Sequence, residues 1–275
     1  MEITRPLLTA VFALLTLFSA TSADGEVLFR DDFEGTLLDD SKWSVADWQL
    51  DRTQLGNAPV ISGGMAHLRF DTFNPHHPGR SFFGTEIDSE QEFPLGNGLE
   101  FEARVRVNLL PAGLVTSLFT YVDWQNGSND YSDEIDFEFL STQIKKALPS
   151  GDPVAITTYR AFNNTHPNYD DVSQTSSENL NVPGLNLTQF NTVLIRWLPD
   201  HVEWLVNGRL IRSTTNAVPT VATRICLNFW APSRAWGEAF SKLLVPARNA
   251  RRNHTYYYDI DYVEVRSAVR GASGF

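Results

Sequence analysis

The chain has 275 residues, of which 42% are apolar and 12% aromatic, and a formal net charge of −11 at neutral pH. That charge excludes a nucleic-acid binder, whose partner needs a basic footprint, and disfavours a polyanionic ligand unless a local basic patch overrides the total. A single cysteine excludes an intrachain disulfide, so the structure must rest on packing.

Residues 1–23 have the pattern of a secretory leader. Arg5 supplies the positive charge, residues 7–18 (LLTAVFALLTLF) the apolar run, and Ala20, Ser22 and Ala23 the small residues of a cleavage site. The run is shorter than the ~20 residues of a membrane-spanning helix. The sequence therefore predicts export to the extracellular space or periplasm, with no membrane attachment afterwards. One all-β domain is expected over residues 24–266, as a monomer, followed by a short tail over 267–275.

Adjacent histidines His76 and His77 occupy a Pro-rich loop, NPHHPGR, and lack a third ligand at metal-site spacing, so they read as surface. Strands follow at 99–107, 115–122, 134–140, 154–162, 192–198, 202–206, 210–213, 224–230 and 256–266, separated by turn signals. Asn207-Gly208 closes a tight hairpin. In 192–198, Val193, Ile195 and Trp197 share one face. In the last strand, Tyr257, Asp259, Asp261 and Val263 alternate against Tyr258, Ile260, Tyr262 and Glu264. Trp43, Trp48, Trp197 and Trp204 read as core, Cys226 as a buried inert thiol, and Arg248, Arg251 and Arg252 as a solvated loop. The economical architecture is a two-sheet antiparallel jelly-roll sandwich with one concave face.

One strand carries chemistry. In SDEIDFEFLS, Glu134, Asp136 and Glu138 alternate with Ile135, Phe137 and Phe139, so three acids share one face. A solvated edge strand could show the same alternation by accident. Retaining glycoside hydrolysis, however, needs an ionised carboxylate to attack the anomeric carbon and a protonated one to serve the leaving oxygen, about 5–5.5 Å apart. Glu134 and Glu138 stand roughly 13 Å apart at Cα on an extended strand, a gap that leaning side chains on a curved sheet can close.

At these residues the sequence resembles glycoside hydrolase family 16, which includes lichenases, laminarinases and xyloglucan transglycosylases. The similarity extends to FRDDFEGTLLDDSKW, FFGTEIDSEQEFPLGNGLEFEARVRV, SLFTYVDWQNGSNDYSDEIDFEFL, WLPDHVEWLVNGRLI, CLNFW and YDIDYVEV. It implies a concanavalin A-like sandwich, with Glu134 as nucleophile, Asp136 as helper and Glu138 as acid/base. Because sugar faces stack on aromatic rings and sugar hydroxyls need fixed polar partners, Trp124, Tyr131, Trp230 and Trp236 are candidate platforms, with Tyr121 as a further one, and Glu86 and Asn228 candidate hydroxyl contacts; Asn228 and Trp230 are the two that the resemblance places in the groove. No catalytic cofactor is implied. A structural calcium is, held by Asp261 with Glu34 or Gly35 nearby. Two positions depart from the lichenase pattern: Ser132 stands where a Trp is typical and Asp88 where a basic residue is frequent. Asn126, Asn163, Asn186 and Asn253 form glycosylation sequons. The expected function is a secreted retaining endo-β-glycanase acting on a neutral β-glucan. The alternatives are a transglycosylase with the same site and a non-catalytic carbohydrate-binding domain.

Overall fold

The structure, a computed structural model, describes residues 25–126, 129–144, 151–163 and 174–269; at 124–126, 129–131 and 161–163 it describes the backbone alone. The leader (1–23) and residues 270–275 lie outside the described residues. In chain order the strands are β1 (Val27–Asp31), β2 (Trp43–Val45), β3 (Gln49–Leu50), β4 (Thr53–Gln54), β5 (Val60–Ile61), β6 (Ala66–Asp71), β7 (Phe82–Phe83), β8 (Thr85–Ser89) and β9 (Leu99–Val107). They continue as β10 (Val115–Asn126), β11 (Asn129–Leu140), β12 (Pro153–Asn163), β13 (Gln174–Asn181), β14 (Asn191–Trp197), β15 (Val202–Val206), β16 (Arg209–Thr214), β17 (Arg224–Trp230) and β18 (Thr255–Ser267). Among the described residues the only helical turn is a 3-10 turn at Ala250–Arg252.

Two largely antiparallel sheets result. One orders its strands β13-β12-β11-β10-β17-β8-β2, and the other runs β16-β15-β14-β9-β18-β6-β7-β4-β3, with β1 on β18 and β5 on β6. Every strand predicted from the sequence is present. β10 and β11 are longer than predicted and pair from Val115–Leu140 to Asn126–Asn129.

Alternation places the core between the sheets. Ile135, Phe137 and Phe139 of β11, Leu118 of β10 and Leu227 of β17 pack with Phe101, Val105, Ile195, Trp197 and Trp204 of the opposite sheet, all fully buried. With its apolar face sealed there, β11 turns its acids to the outer face of the seven-stranded sheet. The solvated-edge reading fails for the same reason, because β11 lies between β10 and β12. Trp204 also ties the sheets together: its Nε1 donates to the main-chain oxygen of Asp136 at 2.9 Å.

Three expectations need correction. A β-bulge between Ile260 and Tyr262 shifts the register of β18 against β9. The parity therefore switches, and Val263 joins Tyr258 and Ile260 in the core instead of opposing them. β13 was not predicted, because its sequence QTSSENLN is polar and mostly exposed at the sheet edge. Trp48 is not core; it is 48% exposed.

Candidate active site

Strand register assembles the site in rows. β8, β17, β10 and β11 lie side by side, so Glu86, Asn228, Ser117 and Glu138 form one row across them. Asp88, Cys226, Phe119 and Asp136 form the next, and Arg224, Tyr121 and Glu134 a third. All eleven face a groove of about 710 Å3, which Trp48, Leu50 and Trp230 also line. That volume lies within the range of ligand-binding clefts.

Burial pushes all three acids of β11 towards the protonated form, and hydrogen bonding sets one of them apart. Burial raises the Glu138 carboxyl to about 8, and the charge of Glu134 adds to the rise. Burial also pushes Asp136 well above the carboxylate range, assisted by the charges of Glu134 and Glu138. Glu134 is raised by burial too, but a hydrogen bond from the Asp136 side chain opposes that shift. Like charges so close cannot all ionise. The arrangement favours protons on Asp136 and Glu138 and an ionised Glu134 that accepts the Asp136 proton donor. A groove holding one carboxylate and one neutral carboxylic acid can perform nucleophilic displacement with acid assistance.

A second buried carboxylate faces the same groove. Glu86 accepts from Trp48 Nε1 at 3.1 Å and from Asn228 Nδ2 at 3.0 Å. Burial, and the neighbouring Asp88, hold its carboxyl at about 7 against those two hydrogen bonds. Asn228 Oδ1 and Trp230 Nε1 are buried without a protein partner. They form an acceptor and a donor two residues apart on β17, a pattern that sugar hydroxyls satisfy. Tyr121, whose face the sequence left open, does line the groove, and its hydroxyl donates to Asp123 Oδ1 at 2.5 Å.

The remaining sequence candidates divide. Trp124 and Tyr131 pair through their backbones at the end of the β10–β11 hairpin; their side chains lie outside the described residues. Trp236 is not among the groove-lining residues and packs its ring against Trp230 at 5.9 Å. Trp48 was missed, since an isolated Trp between short strands carries no sequence signal separating core from cleft. Cys226 is buried as expected, with its thiol raised well above the usual range by burial beside Asp88.

Asp261 does not fit its assigned role. Its Oδ2 accepts from Arg104 Nη1 at 2.5 Å, so a guanidinium already neutralises the carboxylate and would repel a divalent cation. The Glu34 carboxylate lies against Gly64 in the turn between β5 and β6. Calcium takes 6–8 oxygen ligands, and among the described residues no group of three or more His, Cys, Asp or Glu could hold a metal.

Comparison with known proteins agrees with this geometry. The chain is similar to a beta-glucanase of Bacillus subtilis, 26% identical over 242 residues, covering 82% of this chain and 84% of the relative. Among solved structures it resembles a Bacillus licheniformis beta-glucanase (TM-score 0.62, 20% identity, 89% of this chain and 99% of the other). It also resembles the kappa-carrageenase of Pseudoalteromonas carrageenovora (TM-score 0.67, 14% identity, 94% and 100%). The model of the glycosyl hydrolases family 16 matches residues 46–261. The chain is a glycoside hydrolase and belongs to family 16.

Proposed function

We propose that the protein is an exported endo-β-glucanase that cleaves a neutral β-glucan with retention of configuration. The observation that carries the reading is the set of three buried acids from one strand lining one groove, where a hydrogen bond from Asp136 opposes the upward push of burial on Glu134 alone. Glu134, ionised and held by Asp136, attacks the anomeric carbon. Glu138, protonated, donates to the departing glycosidic oxygen. When Glu134 becomes an ester its charge disappears and one cause of the raised Glu138 pKa goes with it. Glu138 then serves as the base that activates water, and hydrolysis of the ester restores Glu134.

The substrate class follows from charge. Seven of the groove-lining residues are carboxylic acids, and the only cation among them, Arg224, stands 3.3 Å from Glu92. Such a surface repels sulfated or carboxylated glycans and accepts neutral ones. The name shared by the Bacillus relatives supports a β-glucan in particular. Export rests on the leader pattern in residues 1–23.

The test is incubation with lichenan, laminarin and xyloglucan, with product sizing and NMR of the newly formed reducing ends. Shortened β-glucan carrying initially β-configured ends is expected. Glu134→Gln and Glu138→Gln should each lower kcat by about a thousandfold or more without loss of fold. An initial α-product would overturn retention. Products longer than the donor would make the enzyme a transglycosylase.

A further inference from the structure

Two segments of this acidic protein carry positive charge and no negative charge. Residues 72–85 and 239–258 contain no Asp or Glu, yet carry Arg80, Lys242, Arg248, Arg251 and Arg252, with His76, His77 and His254 beside them. All five full cations are exposed. Nine other arginines are each paired with a carboxylate (Arg30, Arg69, Arg104, Arg106, Arg160, Arg196, Arg212, Arg224 and Arg266), while Arg52, Arg209 and Arg234 are dispersed cations outside those pairs. Among the described residues none of the five in the corner has such a partner.

The two segments form one built surface. Gly79 N donates to the Ala247 oxygen at 3.0 Å, Ala247 N to the Thr72 oxygen at 2.7 Å, and Thr72 N to the His254 oxygen at 3.0 Å. Asn253 locks the junction, with Nδ2 donating to Asp71 Oδ1 at 2.7 Å and Oδ1 accepting from Phe73 N at 2.9 Å. Gly79, at φ +71, lets the Arg248 stem lie across it, where an added Cβ would come within 2.9 Å of Arg248 Cγ. Asp71, the acid that precedes the first segment, is buried and bonded to Asn57, Arg69, Asn253 and Thr255, so it offers no charge to solvent. The segment that ends here begins just beyond Trp230 at the groove, and Arg52 pins it by donating to the oxygens of Ser241 and Leu244.

Exposed guanidinium groups without carboxylate partners, carried on loops tied together through their backbones, are suited to a partner carrying regularly spaced anions. We propose that this corner is a docking surface for an acidic polysaccharide, separate from the groove. The two surfaces sort glycans by charge: the groove takes the neutral chain to be cut, and the corner holds a sulfated or uronate-bearing polymer that the groove repels. Leu243 and Val245, exposed on the same loop, make an anionic lipid surface the competing occupant. A flexible polymer is favoured because the cations lie on two loops flanking a cleft-bearing glycanase.

The test is retention of the full secreted protein on a polygalacturonate resin and on an uncharged dextran resin. Wild type should bind the first alone at about 0.05 M salt and elute by about 0.5 M, where screening is strong. The double variant Arg251→Glu with Arg252→Glu should pass through, with kcat/KM on β-glucan within twofold of wild type. Failure of wild type to bind overturns the proposal. So does equal retention of the double variant, or binding to phosphatidylserine vesicles in place of the polymer. Loss of β-glucan cleavage by wild type would instead count against the catalytic reading and leave the binding result standing.

Discussion

Trp48 shows how much one residue adds beyond the three acids. Half its surface is exposed in the groove while its indole N–H is held by Glu86, so the ring is fixed as a flat wall. A sugar face stacked on it gains contact area at little entropic cost. Trp48→Ala should raise KM for β-glucan about tenfold, a loss of about 1.4 kcal/mol, with kcat within twofold. Trp48→Phe should recover most of that loss, and initial-rate kinetics on both variants checks the split. Glu138 carries a stability cost tied to its role. Burial and the Glu134 charge raise its carboxyl from 4.5 to about 8 in the folded protein, so ionising it disfavours folding. The fold keeps the full benefit of the neutral acid below pH 4.5 and loses it progressively up to pH 8. Thermal unfolding should therefore find Glu138→Gln more stable than wild type at pH 8, by on the order of 1–3 kcal/mol, and little changed at pH 4.5. Equal melting temperatures at pH 8 would refute the raised pKa.

At the scale of elements, β11 works because its two faces do different jobs, and that was legible in the sequence. The alternation of acids with Ile135, Phe137 and Phe139 specified both the core face and the site face. Other elements were opaque for identifiable reasons. β13 buries little and so shows no apolar period, and the bulge in β18 inverts a parity that counting residues cannot foresee. The rows that join Glu86 and Asn228 to Glu138 depend on pairing between β8, β17, β10 and β11, which are distant in sequence. The bond from Trp204 to the Asp136 carbonyl couples β15 of the facing sheet to β11. Trp204→Phe removes this donor from a fully buried position and should cost about 1–3 kcal/mol in denaturant unfolding. The same variant should lower kcat more than it raises KM, because the strand that sets the carboxylate spacing loses an anchor. Unchanged kcat in a destabilised variant would confine Trp204 to packing.

At the scale of the whole molecule, the sandwich is a common frame, and the groove lining carries the chemistry. Similarity in fold to both a beta-glucanase and a kappa-carrageenase illustrates that architecture leaves substrate charge open. Here the carboxylate-rich groove and the acid-free corner divide the surface electrostatically. The sequence by itself determined the all-β class and the strand that turns three acids to one face, because side-chain alternation is a local property of extended backbone. Only the tertiary structure decided that Trp48 belongs to the groove, that Arg104 occupies Asp261, and that two acid-free loops meet in one corner. Those facts depend on pairings between segments far apart in the chain, and no local pattern encodes which distant neighbour a side chain will meet.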